Sequence, residues 1–257
     1  NKSLQYVYSY ERVMPGPNYL DSVEQLPKVY AALDDKSDQK YCKHLKKVYP
    51  SGDHVRLTNL VSAETAKVFE NTYRMINIAL VQEFTEFSKF VGANTPDILD
   101  CIRNRPTHSN IRYSGLAPGG YCLTKDPSFL VKSGDLFKYK HELPILKASM
   151  QTTEKQNERV LNFLKDKLDI SSDYKFLGIS YLSGVGDIRG SSALLTYQKL
   201  FHLGYQISAV DSFCQDFDAE VPGKLFKDNP DLSKCKVILA TRHPEMNLEM
   251  LNQCVEI

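Results

Sequence analysis

The sequence predicts an α/β fold with a β-prone opening, a helical middle and a parallel-sheet C-terminal third. Three observations predict it. Residues 172–257 alternate apolar strand-like runs with an amphipathic helix across short links. An unbroken helical pattern runs about thirty residues from Ser62. The first sixty residues carry short aromatic and β-branched runs between turn signals.

"LQYVYSY" (4–10) is β-prone and reads as a strand, and Pro15, Gly16 and Pro17 then break regular structure. "PKVYAAL" (27–33) reads as a second strand, "SDQKYCKHLKKVY" (37–49) as a helix, and "HVRLTNL" (54–60) as a third strand. The long helix spans Ser62 to about Val91, with Ser62 as N-cap and Gly92 as C-cap. Phe69, Tyr73, Ile76, Leu80, Phe84, Phe87 and Val91 recur every three or four residues and form one apolar stripe. A shorter helix covers 95–104. A loop then runs to Cys122, with a helix entry expected at Asp126-Pro127, where proline would fill the first helical position. A helix-rich stretch covers about 141–168. Then "YKFLGISYL" reads as a strand, "SGVGDIRG" as a loop and "SSALLTYQKLFHLG" as a helix, followed by strands in "YQISAVDSF" and "KCKVILAT". Strand, helix, strand with short links is a right-handed βαβ unit, hence a parallel, Rossmann-like sheet.

Composition narrows the function class. Apolar residues make up 42% and charged residues 25%, ordinary for a globular chain. A net charge of +1 gives no bulk attraction to nucleic acid or an anionic membrane. No apolar run approaches the ~20 residues of a membrane-spanning helix, and the first residues do not form a signal peptide. Cys42, Cys101, Cys122, Cys214, Cys235 and Cys254 are dispersed, with no CxxC and no histidine cluster. Zinc and a dense disulfide framework are therefore not expected, and a reduced, cytoplasmic protein is. The start at Asn1, close to a strand, suggests a chain that begins inside a larger protein.

Three constellations could carry chemistry. In "APGGYCLTKDP" (117–127), Gly119 and Gly120 leave room for a ligand at the backbone beside Cys122, and Asp126 is an acceptor four residues on. Cys122 is either a nucleophile on a tight turn or a core thiol. Lys67, Asn71 and Arg74 follow helical spacing. They are either a solvated face or a semi-buried lysine able to stabilise an oxyanion and move protons. Gly184, Gly186 and Gly190 nearly match a dinucleotide fingerprint but at a spacing one residue too long. There Arg189 could contact phosphate, or pair with Asp187 at the surface.

Three ordered blocks, "SYERVMPG" (9–16), "AKVFENTYRMINIAL" with "APGGYCLTKDP" (66–127) and "FLGISYLSGVGDIRGSSAL" (176–194), resemble the UDP-glucose/GDP-mannose dehydrogenase family. The second block looks more like the branch acting on UDP-N-acetylhexosamines such as UDP-N-acetylmannosamine. The resemblance implies NAD-dependent oxidation of a UDP-sugar C6 alcohol to a carboxylate. It implies Cys122 as nucleophile, forming a thiohemiacetal and then a thioester. Lys67 becomes the oxyanion-stabilising lysine, Asn71 its partner, Asp126 a proton-transfer carboxylate and Glu11 the acid linked to thioester hydrolysis. Gly119, Gly120, Tyr121 and Arg74 would lie on the substrate side, and Lys125 and Arg189 near the cofactor. It further implies residues 1–60 as the remnant of an NAD-binding Rossmann domain, 61–170 as a central helical dimerisation domain, and 171–257 as a Rossmann-like UDP-binding domain. The helix near 62–91 would form a homodimer core.

The departures from the pattern are specific. No Gly-x-Gly-x-x-Gly run is present. Tyr181 is followed by Leu182 where a substrate-contacting lysine is usual, Thr124 replaces a common proline, and Ser9-Tyr10-Glu11 replaces Ser-Pro-Glu. Leu116, Ala117 and Pro118 stand in a loop usually built of glycines and proline. They leave a second class open: a catalytically incomplete relative that binds a nucleotide sugar or only dimerises.

Overall fold

The computed structural model describes residues 4–50, 52–214, 221–228, 232, 236–246 and 253–257. Asn1, Cys235 and the opening of "KCKVILAT" lie outside them. The chain divides into two compact units, Asn1–Asn71 and Thr72–Ile257.

In the first unit, β1 (Val7–Tyr10), β2 (Lys28–Ala32) and β3 (His54–Arg56) form one sheet in the order β1-β2-β3. β1 runs antiparallel to β2, with Tyr10 opposite Val29, and β3 runs parallel to it, with Val55 opposite Val29. As the central strand, β2 is buried at all five positions, including Lys28. The helix α1 (Tyr19–Gln25) between β1 and β2 was not anticipated. It is short, follows a Pro/Gly turn and buries only Ser22, so it offers almost no apolar periodicity to read. Helix α2 (Asp35–Val48) starts at the Asp34 cap, whose carboxylate accepts from Ser37 N–H at 2.7 Å.

Helix α3 runs from Leu60 to Val91. The expected Ser62 cap is corrected: Asn59 Oδ1 accepts the Ser62 N–H at 2.8 Å, so the helix opens two residues earlier. Gly92 ends it at φ +73°, as the sequence indicated.

In the second unit α4 (Thr95–Arg103), capped by Asn94, leads into a loop pinned at several points. Arg103 Nη2 donates to Ile111 O at 2.6 Å, Arg112 N–H to Asn77 Oδ1 at 3.0 Å, and Gln156 Nε2 to Gly115 O at 2.7 Å. The helix entry at Asp126-Pro127 is also corrected. Helix α5 spans Tyr121–Leu136, begins right after Gly120 at φ +82°, and carries Pro127 in its interior. Helix α6 (Pro144–Lys167) leads into the sheet β6-β5-β4-β7-β8.

That sheet is built from β4 (Asp173–Leu177), β5 (Gln206–Val210), β6 (Leu225–Phe226), β7 (Lys236–Leu239) and β8 (Gln253–Glu256), all pairings parallel. Side chains alternate with the strand period of two. Tyr174, Phe176, Ile207, Ala209 and Ile238 face a core shared with α6 and with α7 (Ser192–His202), which supplies Leu194, Tyr197 and Leu200. Leu177, Val210, Val237 and Leu239 face the other way, with Met246. Tyr197 packs edge-on to Phe176 at 5.7 Å, and its hydroxyl, pushed up to about 12 by burial, donates to Pro222 O at 2.6 Å. The expected β4–α7–β5 crossover is present, though β4 stops at Leu177, where Gly178 turns out of the sheet at φ +78°.

Candidate functional site

Within the first unit the end of β1 meets the first turns of α3. Lys67 Nζ donates to the Glu11 carbonyl at 3.1 Å and lies 5.4 Å from the Tyr10 ring centroid. Arg12 pairs with Glu70 at 3.2 Å. The Glu11 carboxylate, about half exposed, accepts from Lys28 Nζ at 2.8 Å, while Lys28 itself is 2% exposed. Two sequence-predicted residues, Glu11 and Lys67, are thus in direct contact. Asn71, one turn beyond Lys67, is buried. Helical spacing does not give Lys67, Asn71 and Arg74 one environment: Lys67 is half-buried, Asn71 buried and Arg74 exposed.

Within the second unit, Cys122 is the second residue of α5 and is exposed. First-turn amides of a helix have no intrahelical acceptor, and the dipole favours negative charge there. Asp126, four residues on, is buried and pairs with Lys125 at 3.2 Å. That contact is the main reason Lys125 holds its proton more tightly than an ordinary lysine. Lys125 also lies over the Tyr121 and Phe129 rings.

Gly119 and Gly120 are close-approach positions. A Cβ on Gly119 would lie 2.6 Å from Tyr181 Cβ and 3.0 Å from Gly190 O, and one on Gly120 would lie 2.8 Å from the Tyr181 ring. The partner at this approach is therefore the protein's own Tyr181, which sequence reasoning had noted only for the residue after it. Burial raises the Tyr181 hydroxyl above its ordinary range. Asp187 and Cys122 add to the effect, while Arg189 and Arg74 oppose it. Arg74, Cys122, Asp187 and Arg189 thus all act electrostatically on Tyr181.

Of the two readings of Arg189, the pair with Asp187 is the one observed. Its guanidinium engages both carboxylate oxygens, at 2.7 Å for Nη2–Oδ2. A Cβ on Gly186 would meet Phe213 O at 2.0 Å, so this glycine serves loop packing.

The sequence did not single out the buried network at the C-terminal ends of β4, β5 and β7. Asp211, fully buried, accepts from Ile179 N–H at 2.9 Å, Ser180 N–H at 3.0 Å, Ser180 Oγ at 2.7 Å and Phe213 N–H at 3.1 Å. His243 Nε2 lies 3.2 Å from it, and His243 Nδ1 accepts the Gly184 N–H, which assigns the imidazole proton to Nε2. Burial raises the Asp211 carboxyl, but the bonds from His243 and Ser180 outweigh it and hold it down at about 2. Burial pushes the Cys214 thiol up to about 12, leaving it inert. The signal available was a lone aspartate directly after a strand. Among the described residues there is no cluster suited to a metal ion, and no helix is long and apolar enough to cross a membrane.

The second unit thus places a helix-borne cysteine beside a five-stranded parallel sheet of order β6-β5-β4-β7-β8, a strand order found among nucleotide-binding α/β proteins. Residues 61–155 match the central domain of the UDP-glucose/GDP-mannose dehydrogenase family, so the resemblance read from the sequence holds over that segment. A UDP-N-acetyl-D-mannosamine dehydrogenase from Methanocaldococcus jannaschii is 28% identical over 222 residues, covering 84% of this chain and 49% of the relative. The chain spans about half the length of the curated relatives it matches. The fold is shared with a UDP-glucose dehydrogenase from Pyrobaculum islandicum, at TM-score 0.82 and 17% identity over 98% of this chain and 60% of the other. It is also shared with a UDP-D-ManNAc dehydrogenase from Pyrococcus horikoshii, at TM-score 0.75 and 23% identity over 98% and 60%.

Proposed function

We propose that the chain carries the central and UDP-binding parts of an NAD-dependent UDP-sugar 6-dehydrogenase, with residues 61–170 as the central domain and 171–257 as the UDP-binding domain. The observation that carries this is the position of the family match: residues 61–155 contain Lys67, Asn71, Cys122 and Asp126 together. The UDP-N-acetylhexosamine branch is supported by the names of the relatives. Cytoplasmic location and a role in polysaccharide biosynthesis belong to the same reading.

NAD would accept a hydride in each of the two oxidations. The residues present do not fit a dinucleotide pyrophosphate cradle. No Gly-x-Gly-x-x-Gly turn occurs, Gly186 is closed off by Phe213, and the Arg189 fork is taken by Asp187. The chemistry assigned to this chain is therefore that of thiol and water. The Cys122 sulfur adds to the C6 aldehyde, and the first-turn amides of α5 stabilise the resulting oxyanion. After the thioester has formed, water adds to its carbonyl, the C–S bond breaks and the thiol is restored. Asp126 serves proton transfer at Cys122.

We further propose a homodimer through α3. Its stripe of Phe69, Tyr73, Leu80, Phe84, Phe87 and Val91 is exposed in the single chain, which supports an interface there. The second reading, a relative that binds a nucleotide sugar without oxidising it, is favoured by the exposed Leu182 in place of lysine.

The test is protection of Cys122. Iodoacetamide alkylation, followed by peptide mapping, should slow severalfold with saturating UDP-N-acetylmannosamine, while calorimetry records UDP binding. An unprotected Cys122 together with no heat of UDP binding would sink the proposal.

A further inference from the structure

We propose that His243 is a positioning residue for the nucleotide: it fixes the loop after β4, residues 180–184, as one wall of the UDP site. The inference rests on the UDP-binding reading of residues 171–257, and every residue it uses lies in the second unit. In the order β6-β5-β4-β7-β8 the chain passes from β4 to β5 on one side, while β7 lies on the other. The strand order thus reverses between β4 and β7. Ligands of open parallel sheets bind at such a reversal, outside the C-terminal strand ends. The loops that emerge there follow β4 from residue 178 and β7 from residue 240.

The two loops are tied together along their length. At the base Thr241 Oγ1 donates to Ser180 O at 2.8 Å, and a Cβ on Gly178 would meet Thr241 O at 2.0 Å. Farther out Ser183 Oγ donates to Arg242 O at 2.5 Å, and His243 Nδ1 accepts the Gly184 N–H at 3.0 Å. The His243 ring is fully buried, stacks on Phe213 at 4.8 Å between centroids, and turns Nε2 to Asp211 Oδ2 at 3.2 Å. The carboxylate keeps the proton on Nε2 and leaves the Nδ1 lone pair for Gly184. Asp211 also holds the near end of the same loop, through the Ile179 and Ser180 amides at 2.9 and 3.0 Å. One buried pair therefore grips the loop at both ends, while Leu182 and Ser183 between them stay exposed. A turn held in place before the ligand arrives loses less conformational freedom on binding. Filling the core would need only the bulk of the ring and its bond to Asp211. The acceptor aimed at a loop amide is what positioning adds.

The test separates the two ring nitrogens in residues 1–257. His243→Asn puts Oδ1 at the bond position of Nδ1 and keeps an acceptor for Gly184, whereas His243→Gln puts an amide nitrogen at the bond position of Nε2 and keeps a donor for Asp211. Calorimetric titration with UDP should give His243→Asn a Kd within about twofold of wild type and His243→Gln a Kd about tenfold weaker, the scale of one buried amide left without its acceptor. Hydrogen exchange at the Gly184 amide should be fast in His243→Gln and slow in the other two proteins. In wild type, UDP should also shift the Gly184 amide resonance. The opposite ranking of the variants, equal affinity in all three proteins, or equal weakening in both variants would overturn the inference. So would UDP binding that leaves the Gly184 resonance unmoved, a measurement that needs wild type alone and decides the matter if a variant does not fold. If wild type releases no heat with UDP, the UDP-binding reading fails first and the inference falls with it.

Discussion

Single residues at this site are constrained by neighbours that leave no room for one more methyl group. Gly119→Ala would bring a Cβ to 2.6 Å from Tyr181 Cβ and 3.0 Å from Gly190 O, contacts that force movement of backbone as well as side chain. We expect about 1–3 kcal/mol lost in chemical denaturation, typical of overpacking. We also expect a changed Cys122 alkylation rate, since Cys122 lies three residues on. An unchanged melt and rate would show that the contact is soft. Asp211 makes a second, pH-dependent prediction. Its folded carboxyl, at about 2, lies below the ordinary value of about 3.9. Its contribution is therefore complete above about pH 4 and is lost as pH falls toward 2. Denaturation midpoints measured from pH 5 down to pH 2 should drop more steeply in wild type than in Asp211→Asn. The variant should already be about 3 kcal/mol less stable at pH 7, because five donors face a group that is no longer a carboxylate. Parallel pH profiles for the two proteins would contradict this.

The elements show which sequence signals were readable. The period of α3 was plain because Phe69 to Val91 repeats every three or four residues, yet periodicity does not tell which face is covered. Its buried side turned out to be Ala63, Thr72, Met75, Ala79 and Gln82, and the large apolar stripe is exposed. The start of α5 was misplaced because proline at a first helical position is a strong rule. Here Gly120 at φ +82° opens the helix instead, and Pro127 stays inside it, where it withholds one N–H from the ladder. That shift moves Cys122 from a loop into a first helical turn, a change of electrostatic setting that its composition could not reveal. The exposed stripe yields a prediction at this scale. Phe84→Glu with Phe87→Glu should convert a dimer into a monomer in analytical ultracentrifugation, with helical circular dichroism unchanged. A wild-type monomer at high concentration would refute the interface.

For the whole molecule, most of the order of strands and helices was legible from period and turn residues, α1 and the two-residue β6 excepted, and so was the parallel β4–α7–β5 unit. Glu11, Lys67, Cys122 and Asp126 were legible as residue types in ordered blocks. Lys28, Tyr181, Asp211 and His243 were not, because their importance comes from burial and from partners distant in sequence, such as Asp211 and His243, 32 positions apart. The same contrast separates two properties of residues 1–257. Nucleotide binding needs the C-terminal ends of a parallel sheet, which β4, β5 and β7 supply. Hydride transfer needs a nicotinamide held against the sugar, and the pyrophosphate turn that would hold it is missing from this sequence. Residues 1–257 assayed alone with NAD and UDP-sugars should therefore form no NADH above background while still releasing heat on titration with UDP. Leu182, in the place where the resemblance expects a lysine, should make that binding weak, and Leu182→Lys should tighten it by about 1 kcal/mol, the scale of a charge-assisted hydrogen bond to phosphate at an exposed site. Sustained NADH production by residues 1–257 would mean that a cofactor site lies in them after all. An unchanged UDP affinity in Leu182→Lys would mean that the phosphates lie away from the loop after β4.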